Sequence, residues 1–471
     1  MDKYLLKSER DRIHSLVSIL ANKLNLPENK INIKDQFYHL IKENKDSSII
    51  DLLNDYLDSF CLKMGTLLQE KITPAIQFGI QNEYFSVIGY GGKYNGYEHE
   101  ADINENTFFS FDSISKLLTS VLMMQEVREK RASICTSVHH YNPDFSLNAS
   151  IESILKFTAL IRTEKRIDNL SKEETINILK KVKEDLSLKS EYKNFYEYND
   201  IGYMILRLST NDFLKKLDSL LSMIDPINLT YDWKKAKENI TGGKIGEEFI
   251  TPDLKGRDIL FPGHTGLYGN IDGLLQLFYK ILYTEDILTS LEKKILFEQP
   301  YLDPTVYTKD GTQLIGKNQS PQYMAKISGI YRKPTGINSN SYDKMASCDM
   351  SNLTTDFSKA STGTCGSWVM GDDLSIQNKF GTYIGGLLTN PYSYILPGSY
   401  PESKNLIPNT NLTVNQKGVI LGYQSKLNSY KEIITDYGLL LELITEYIKE
   451  TDSTVLSNNN YQRIKKVRLE R

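Results

Sequence analysis

The chain has 471 residues, with 56 Lys and Arg against 59 Asp and Glu, a formal charge of −3 and 40% hydrophobic residues. That length suits one large domain with an appendage, or two to three ordinary ones. So balanced a charge offers no basic stripe to hold a phosphate backbone, which excludes nucleic acid as an expected partner. No window approaches the roughly 18 to 20 apolar residues that cross a bilayer, and charges interrupt the opening MDKYLLKSERDRIHSLVSILANKLNL where a secretory apolar core would lie. The expected location is therefore the cytoplasm.

Residues 1–55 place Ile13, Leu16, Val17 and Leu20, then Phe37, Leu40 and Ile41, at helical spacing, broken at Pro27. They read as an appended set of amphipathic helices. From Ile76 to Tyr90 the pattern predicts two strands joined at Gln81-Asn82 and ended by glycines, a hairpin. FFSFDSISKLLTSVLMMQEVREK follows as a largely buried helix starting near Ser113, with basic residues at its end where the helix dipole favours them. From about 150 to 245 the periodicity is helical, an α region inserted between β elements. His139-His140 reads as part of a loop, because adjacent histidines point apart and no third ligand has suitable spacing for a metal. Residues 300 to 360 read as loop-rich. GSWVMGDDLSIQNKFGTYIGGLLTN then predicts two strands around a polar turn near Asp372-Asp373, and YKEIITDYGLLLELITEYIKE a closing helix. The tail YQRIKKVRLER, with five basic residues and one acid, reads as a solvated or frayed terminus. Cys61, Cys135, Cys348 and Cys365 form no CxxC pair, so neither a disulfide framework nor a zinc site is expected.

Chemistry concentrates at Ser113 and Lys116. An i to i+3 spacing at a helix start sets a hydroxyl and an amine on one face. A serine becomes a nucleophile only when a neighbour takes its proton, and a lysine desolvated among Phe108, Phe109, Phe111, Leu117, Leu118 and Val121 is suited to that.

The segment FSFDSISKLLTSVL resembles the nucleophile segment of the penicillin-recognising serine hydrolases, the family of serine β-lactamases, D-alanyl-D-alanine carboxypeptidases and related esterases. YNDIGYMIL is similar to the family's second element, which identifies Tyr198 as its tyrosine and Asp200 as its polar partner. Two segments resemble the third element. His264-Thr265-Gly266 has the better letters but precedes a helical pattern, whereas Ser361-Thr362-Gly363 lacks the cation yet precedes the predicted strand pair. Context favours residues 361–363, and FPGHTGLYGNIDGLLQLF is read as a non-catalytic segment with a structural His264.

The resemblance implies an α/β (α+β) fold of the β-lactamase and transpeptidase type, a mostly antiparallel sheet flanked by helices with an inserted α domain. It divides the chain into a helical extension (1–55), a hydrolase domain (56–450, with the inserted region at about 125–290) and a basic tail (451–471). It implies a serine hydrolase of the esterase or carboxypeptidase type that acts on an ester or amide of a small molecule or peptide through an acyl-Ser113 intermediate. Acyl transfer to an amine or alcohol is the rival reaction, and an inert binding module the rival class. Ser113, Lys116 and Tyr198 are the implied catalytic residues. The backbone N–H groups of Ser113 and Thr364 are the implied oxyanion donors, and Asp200, Ser361, Thr362 and Gly363 face the substrate. No cofactor or metal is implied. Two departures from the family pattern bear on the chemistry. Ser361 removes the charge that engages a substrate carboxylate, which favours neutral esters and amides. Asp200 sets a carboxylate near Lys116 that keeps the amine cationic and makes Tyr198 the better base.

Overall fold

The computed structural model describes residues 49–69, 75–94, 101–111, 114–129, 131–155, 159, 161–162, 170–184, 200–224, 228–241, 243–245, 248–250, 262–297, 325–327, 330–332, 359–363, 367–372, 383–389, most of 430–449 and 463–469. Along the chain come helix α1 (Ile49–Gln69), the hairpin β1 (Ala75–Asn82) and β2 (Phe85–Gly92), β3 (Phe109–Ser110) and helix α2 (Ser115–Arg128). A mainly helical stretch follows: α3 (Val138–Tyr141), α4 (Ile151–Leu155), β4 (Ile161–Arg162), α5 (Lys172–Lys181), β5 (Lys183–Glu184), α6 (Asp200–Ser209), α7 (Phe213–Leu221), β6 (Leu229–Thr230) and α8 (Trp233–Ala236). Next are β7 (Gly243–Ile245), β8 (Glu248–Ile250), β9 (Tyr268–Gly269), α9 (Ile271–Tyr283) and α10 (Ser290–Phe297). The last strands are β10 (Ala325–Ile327), β11 (Ile330–Arg332), β12 (Lys359–Gly363), β13 (Ser367–Asp372), β14 (Tyr383–Thr389) and β15 (Arg463–Arg468).

Eight strands form the main sheet in the order β10-β11-β12-β13-β14-β1-β2-β15, antiparallel throughout except that β15 runs parallel to β2. Strand alternation explains its two buried faces. Ile76, Phe78 and Ile80 of β1 join Tyr56, Phe60 and Met64 of α1 and Tyr437, Leu441 and Ile444 near the C-terminus in one core cluster. Ala75 and Ile88, with Ile384 and Leu388 of β14, join Leu274, Leu275 and Phe278 of α9 and Leu117, Leu118 and Val121 of α2 in another. Described residues between 430 and 449 are helical. They pack beside α1, and α9 and α2 stand on the opposite face.

Helix α2 is buried nearly all round, from Ser115 through Met124 and again at Glu126. Its sheet-facing residues touch α9, while Met123 enters a third cluster with Val138, Ile154, Tyr203 and Leu206 of the helical layer. Its last residue, Arg128, donates through Nε to Glu292 at 2.7 Å and through an Nη to the Ile287 carbonyl at 3.0 Å. A three-stranded ribbon, β3-β9-β6, closes the other end, and the Phe111 N–H continues it by donating to the Leu267 carbonyl at 2.9 Å. The start of α2 is thereby fixed beside residues 262–267.

Five expectations shift. The hairpin turns at Glu83-Tyr84 rather than Gln81-Asn82, because the Asn82 side-chain oxygen accepts the N–H groups of Tyr84 at 2.9 Å and Phe85 at 2.8 Å. His139 and His140 lie in the helical turn α3 rather than a loop: Ser137 caps it, and His139 Nδ1 lies 2.8 Å from the Phe145 carbonyl. Helix α1 runs through residue 55, so the boundary drawn there falls inside a helix. The basic tail is not frayed over Arg463–Arg468, since it pairs with β2 along six residues. The physical reason is the open edge of β2. The Leu469 N–H extends the ladder to the Tyr90 carbonyl at 2.8 Å, and Arg468 pairs with Asp102. Basic side chains are well suited to the outermost strand, where they discourage further pairing. The loop-rich region from 300 to 360 contributes β10 and β11, and its remainder up to β12 lies outside the described residues.

One glycine carries the approach of α6. A Cβ at Gly202 would come within 2.6 Å of Ile154 and 2.9 Å of Ile161. On helix propensity alone Gly→Ala in a helix gains about 1 kcal/mol. Overpacking a core costs about 1–3 kcal/mol, and here it wins. Gly202→Ala should therefore lower the unfolding free energy measured by denaturant titration; a gain in stability would show that α6 is not packed this closely.

Candidate active site

The first turn of α2 carries Lys116, whose side chain is 1% exposed. Burying an ammonium is costly unless polar groups replace its water. Two do so here. Nζ lies 2.6 Å from Oδ1 of Asp200 and donates to the His264 carbonyl at 2.8 Å. The Tyr203 ring supplies a further electrostatic contact, its centroid 5.8 Å from Nζ. Tyr203 is fully buried and donates to the Leu155 carbonyl at 3.0 Å. Burial pushes its hydroxyl well up, with a hydrogen bond from Ser120 opposing, so it stays protonated.

Asp200 is the first residue of α6, where a carboxylate complements the positive end of the helix dipole. Its side chain is 49% exposed, so the ion pair has one dry member and one wet member. The pair is the boundary between core and solvent. Asp200 and Tyr203 fall one turn apart on the same face of α6, and both turn towards α2.

The third side is the turn at 262–266. Thr119 Oγ1 donates to the Gly263 carbonyl at 2.7 Å, and Ser115 Oγ accepts the Leu267 N–H at 3.0 Å. Gly263 and Gly266 have φ of +143° and +90°, a region that L side chains rarely adopt. A Cβ at Gly263 would also lie 2.9 Å from Thr119 Oγ1. The His264 side chain is buried, and it is the residue's backbone that reaches Lys116. Sequence reasoning set this segment aside as non-catalytic because a helical pattern follows it. The two glycines were the signal, since they mark a main-chain turn that a neighbouring helix can approach.

Of the residues singled out in the sequence, Lys116 and Asp200 are brought together. Ser361, Thr362 and Gly363 lie in β12, opposite Met370, Val369 and Trp368 of β13, and Ser361 also pairs with Tyr331 of β11. Ser113, Tyr198 and Thr364 lie outside the described residues. Their chain neighbours are placed: Phe111 and Ile114 flank the nucleophile position, and Gly363 ends β12. No group of three or more potential metal ligands occurs among the described residues, and no helix among them is long and apolar enough to cross a membrane.

No family model matches the chain, and no curated protein matches it. Solved structures do. A β-lactamase/D-alanine carboxypeptidase from Pseudomonas syringae is 12% identical, with a TM-score of 0.50 over 79% of this chain and 98% of its own. EstCE1, a hydrolase with promiscuous acyltransferase activity, is 14% identical, with a TM-score of 0.49 over 72% of this chain and 94% of its own. An octameric penicillin-binding protein homologue from Pyrococcus abyssi is 13% identical, with a TM-score of 0.48 over 72% and 76%. Identities this low speak to architecture alone, and the first likeness agrees with the antiparallel sheet and the helical layer described above: the chain has a fold of the β-lactamase/D-alanine carboxypeptidase type.

Proposed function

We propose that the chain is a serine hydrolase that cleaves an ester or amide through an acyl intermediate on Ser113. The observation that supports this reading is the buried Lys116 side chain, three residues after Ser113 in the sequence, which meets Asp200 of the Tyr-x-Asp element at 2.6 Å. Two segments far apart in the sequence thus bring together a cation and a carboxylate, the cation three residues after the proposed nucleophile in the chain.

In the proposed reaction the Ser113 Oγ attacks the substrate carbonyl carbon while its proton passes to Tyr198. Lys116, ion-paired with Asp200, stabilises the tyrosinate electrostatically. The carbonyl oxygen becomes an oxyanion between the N–H groups of Ser113 and Thr364, donors worth about 3 to 4 kcal/mol each. Collapse breaks the bond to the leaving alcohol or amine, which takes the proton from Tyr198. Water then attacks the acyl-serine, gives a proton to Tyr198, and the acid leaves as the Ser113 hydroxyl is restored. Ser361, where relatives with a carboxylate-binding cation carry lysine or histidine, favours neutral esters and amides as substrates.

Ser113→Ala should lower kcat/KM for nitrophenyl acetate by about a thousandfold or more while leaving the thermal melt nearly unchanged. Turnover retained above background would remove Ser113 from the mechanism.

The ion pair generates a second expectation. In Asp200→Asn the ammonium of Lys116 is no longer neutralised, so it favours the tyrosinate more strongly. A carboxylate removed from the vicinity of an acid lowers the pH at which that acid ionises. The rising limb of kcat/KM against pH should move to lower pH. An unmoved limb would show that the titrating base does not sense Lys116.

A further inference from the structure

Away from Lys116, the turn end of the β1–β2 hairpin and one flank of α9 enclose a cavity of about 290 Å³. Gln81, Glu83 and Ser86 line it from the hairpin, and Asp272, Gln276 and Tyr279 from α9. Ser86 is 7% exposed, and its Oγ has no hydrogen-bond partner. Buried hydroxyls are almost always satisfied, so one left open against a cavity points to a ligand or to ordered water as its partner. Gln81 stands directly across the strand pair from Ser86, so the two side chains share the face that α9 covers.

The chemistry of the lining narrows the ligand. Lys280, the cation of this cavity, already pairs with Asp286 at 2.7 Å, while Glu83 and Asp272 present carboxylates. Anions are therefore disfavoured. Asp272 accepts from Asn228 at 3.0 Å and lies in the first turn of α9, where the helix dipole already offsets its charge, and Glu83 is exposed and screened. Neither carboxylate then demands a full positive charge. The amides of Gln81 and Gln276 and the hydroxyl of Ser86, each able to donate and to accept, stand in the same lining as the half-buried ring of Tyr279. The volume is at the small end of ligand sites.

We infer that this cavity binds a small uncharged polyol of about the size of one monosaccharide, its hydroxyls donating to the carboxylates and amides and its carbon face lying on the Tyr279 ring. Burial, then the Glu83 carboxylate, push the Tyr279 hydroxyl up, so it remains a protonated donor. Neither Lys116 nor Asp200 lines the cavity, so the inference stands apart from the proposed hydrolysis.

The test is titration of the full chain with D-glucose and N-acetyl-D-glucosamine, by saturation-transfer NMR and calorimetry, with spermidine and inorganic phosphate as charged probes. The expected result is saturable binding of at least one sugar with Kd near about 1 mM or tighter, and no preference for either ion. Ser86→Ala and Gln276→Leu should each weaken that binding by about tenfold or more without changing ester turnover. Failure of both sugars to saturate, tighter binding of spermidine or phosphate, or sugar binding that survives both substitutions would overturn the inference.

Discussion

The Lys116 ammonium is buried at the start of a helix that is itself buried on nearly every side, and the surrounding architecture can be understood as what makes that placement tolerable. An isolated charge in such a position pays a desolvation cost that only close polar partners offset. Asp200 and the His264 carbonyl supply them from two other segments of the chain. Each partner in turn depends on a local device. Gly202 lets α6 settle against Ile154 and Ile161 so that Asp200 faces α2, and Gly263 and Gly266 let the 262–266 turn present its carbonyls to the helix.

The sheet matters to the site through position rather than chemistry. Leu117, Leu118 and Val121 anchor α2 on the face made by Ile88, Ile384 and Leu388, together with α9. The strand β12 lies two places along from β14, so the segment proposed to edge the pocket belongs to the same rigid frame. On the opposite face α1 and the C-terminal helical residues seal the sheet. There Gly438 approaches the Tyr383 ring so closely that a Cβ would overlap it. The strand β15 covers the β2 edge, which is why a tail rich in Lys and Arg is ordered.

Much of this was legible in the sequence where the signal is local. The β1–β2 hairpin, the long helix α2, the helix α6 that opens at Asp200, and the strands β13 and β14 follow from alternation and helical spacing. The Lys116 to Asp200 pair was legible through the spacing of SxxK and the resemblance of YNDIGY. What escaped was set by distant partners. The composition of RIKKVR says solvated surface, and only the vacant edge of β2 makes it a strand. The letters HTG invite a side-chain reading, whereas the contact with Lys116 is made by the main chain. The turn at Glu83-Tyr84 is displaced by a single side-chain oxygen of Asn82.

The central proposal is that Ser113, three residues before the buried Lys116 in the sequence, is a nucleophile. Incubating the intact chain with a fluorophosphonate tests this most directly, since the reagent phosphonylates an activated serine and spares ordinary hydroxyls. The account predicts one adduct per chain by intact mass spectrometry, located by peptide mapping to the segment carrying Ser113 and absent after prior unfolding. Native protein that takes up no label, or takes it up at another residue, would contradict it.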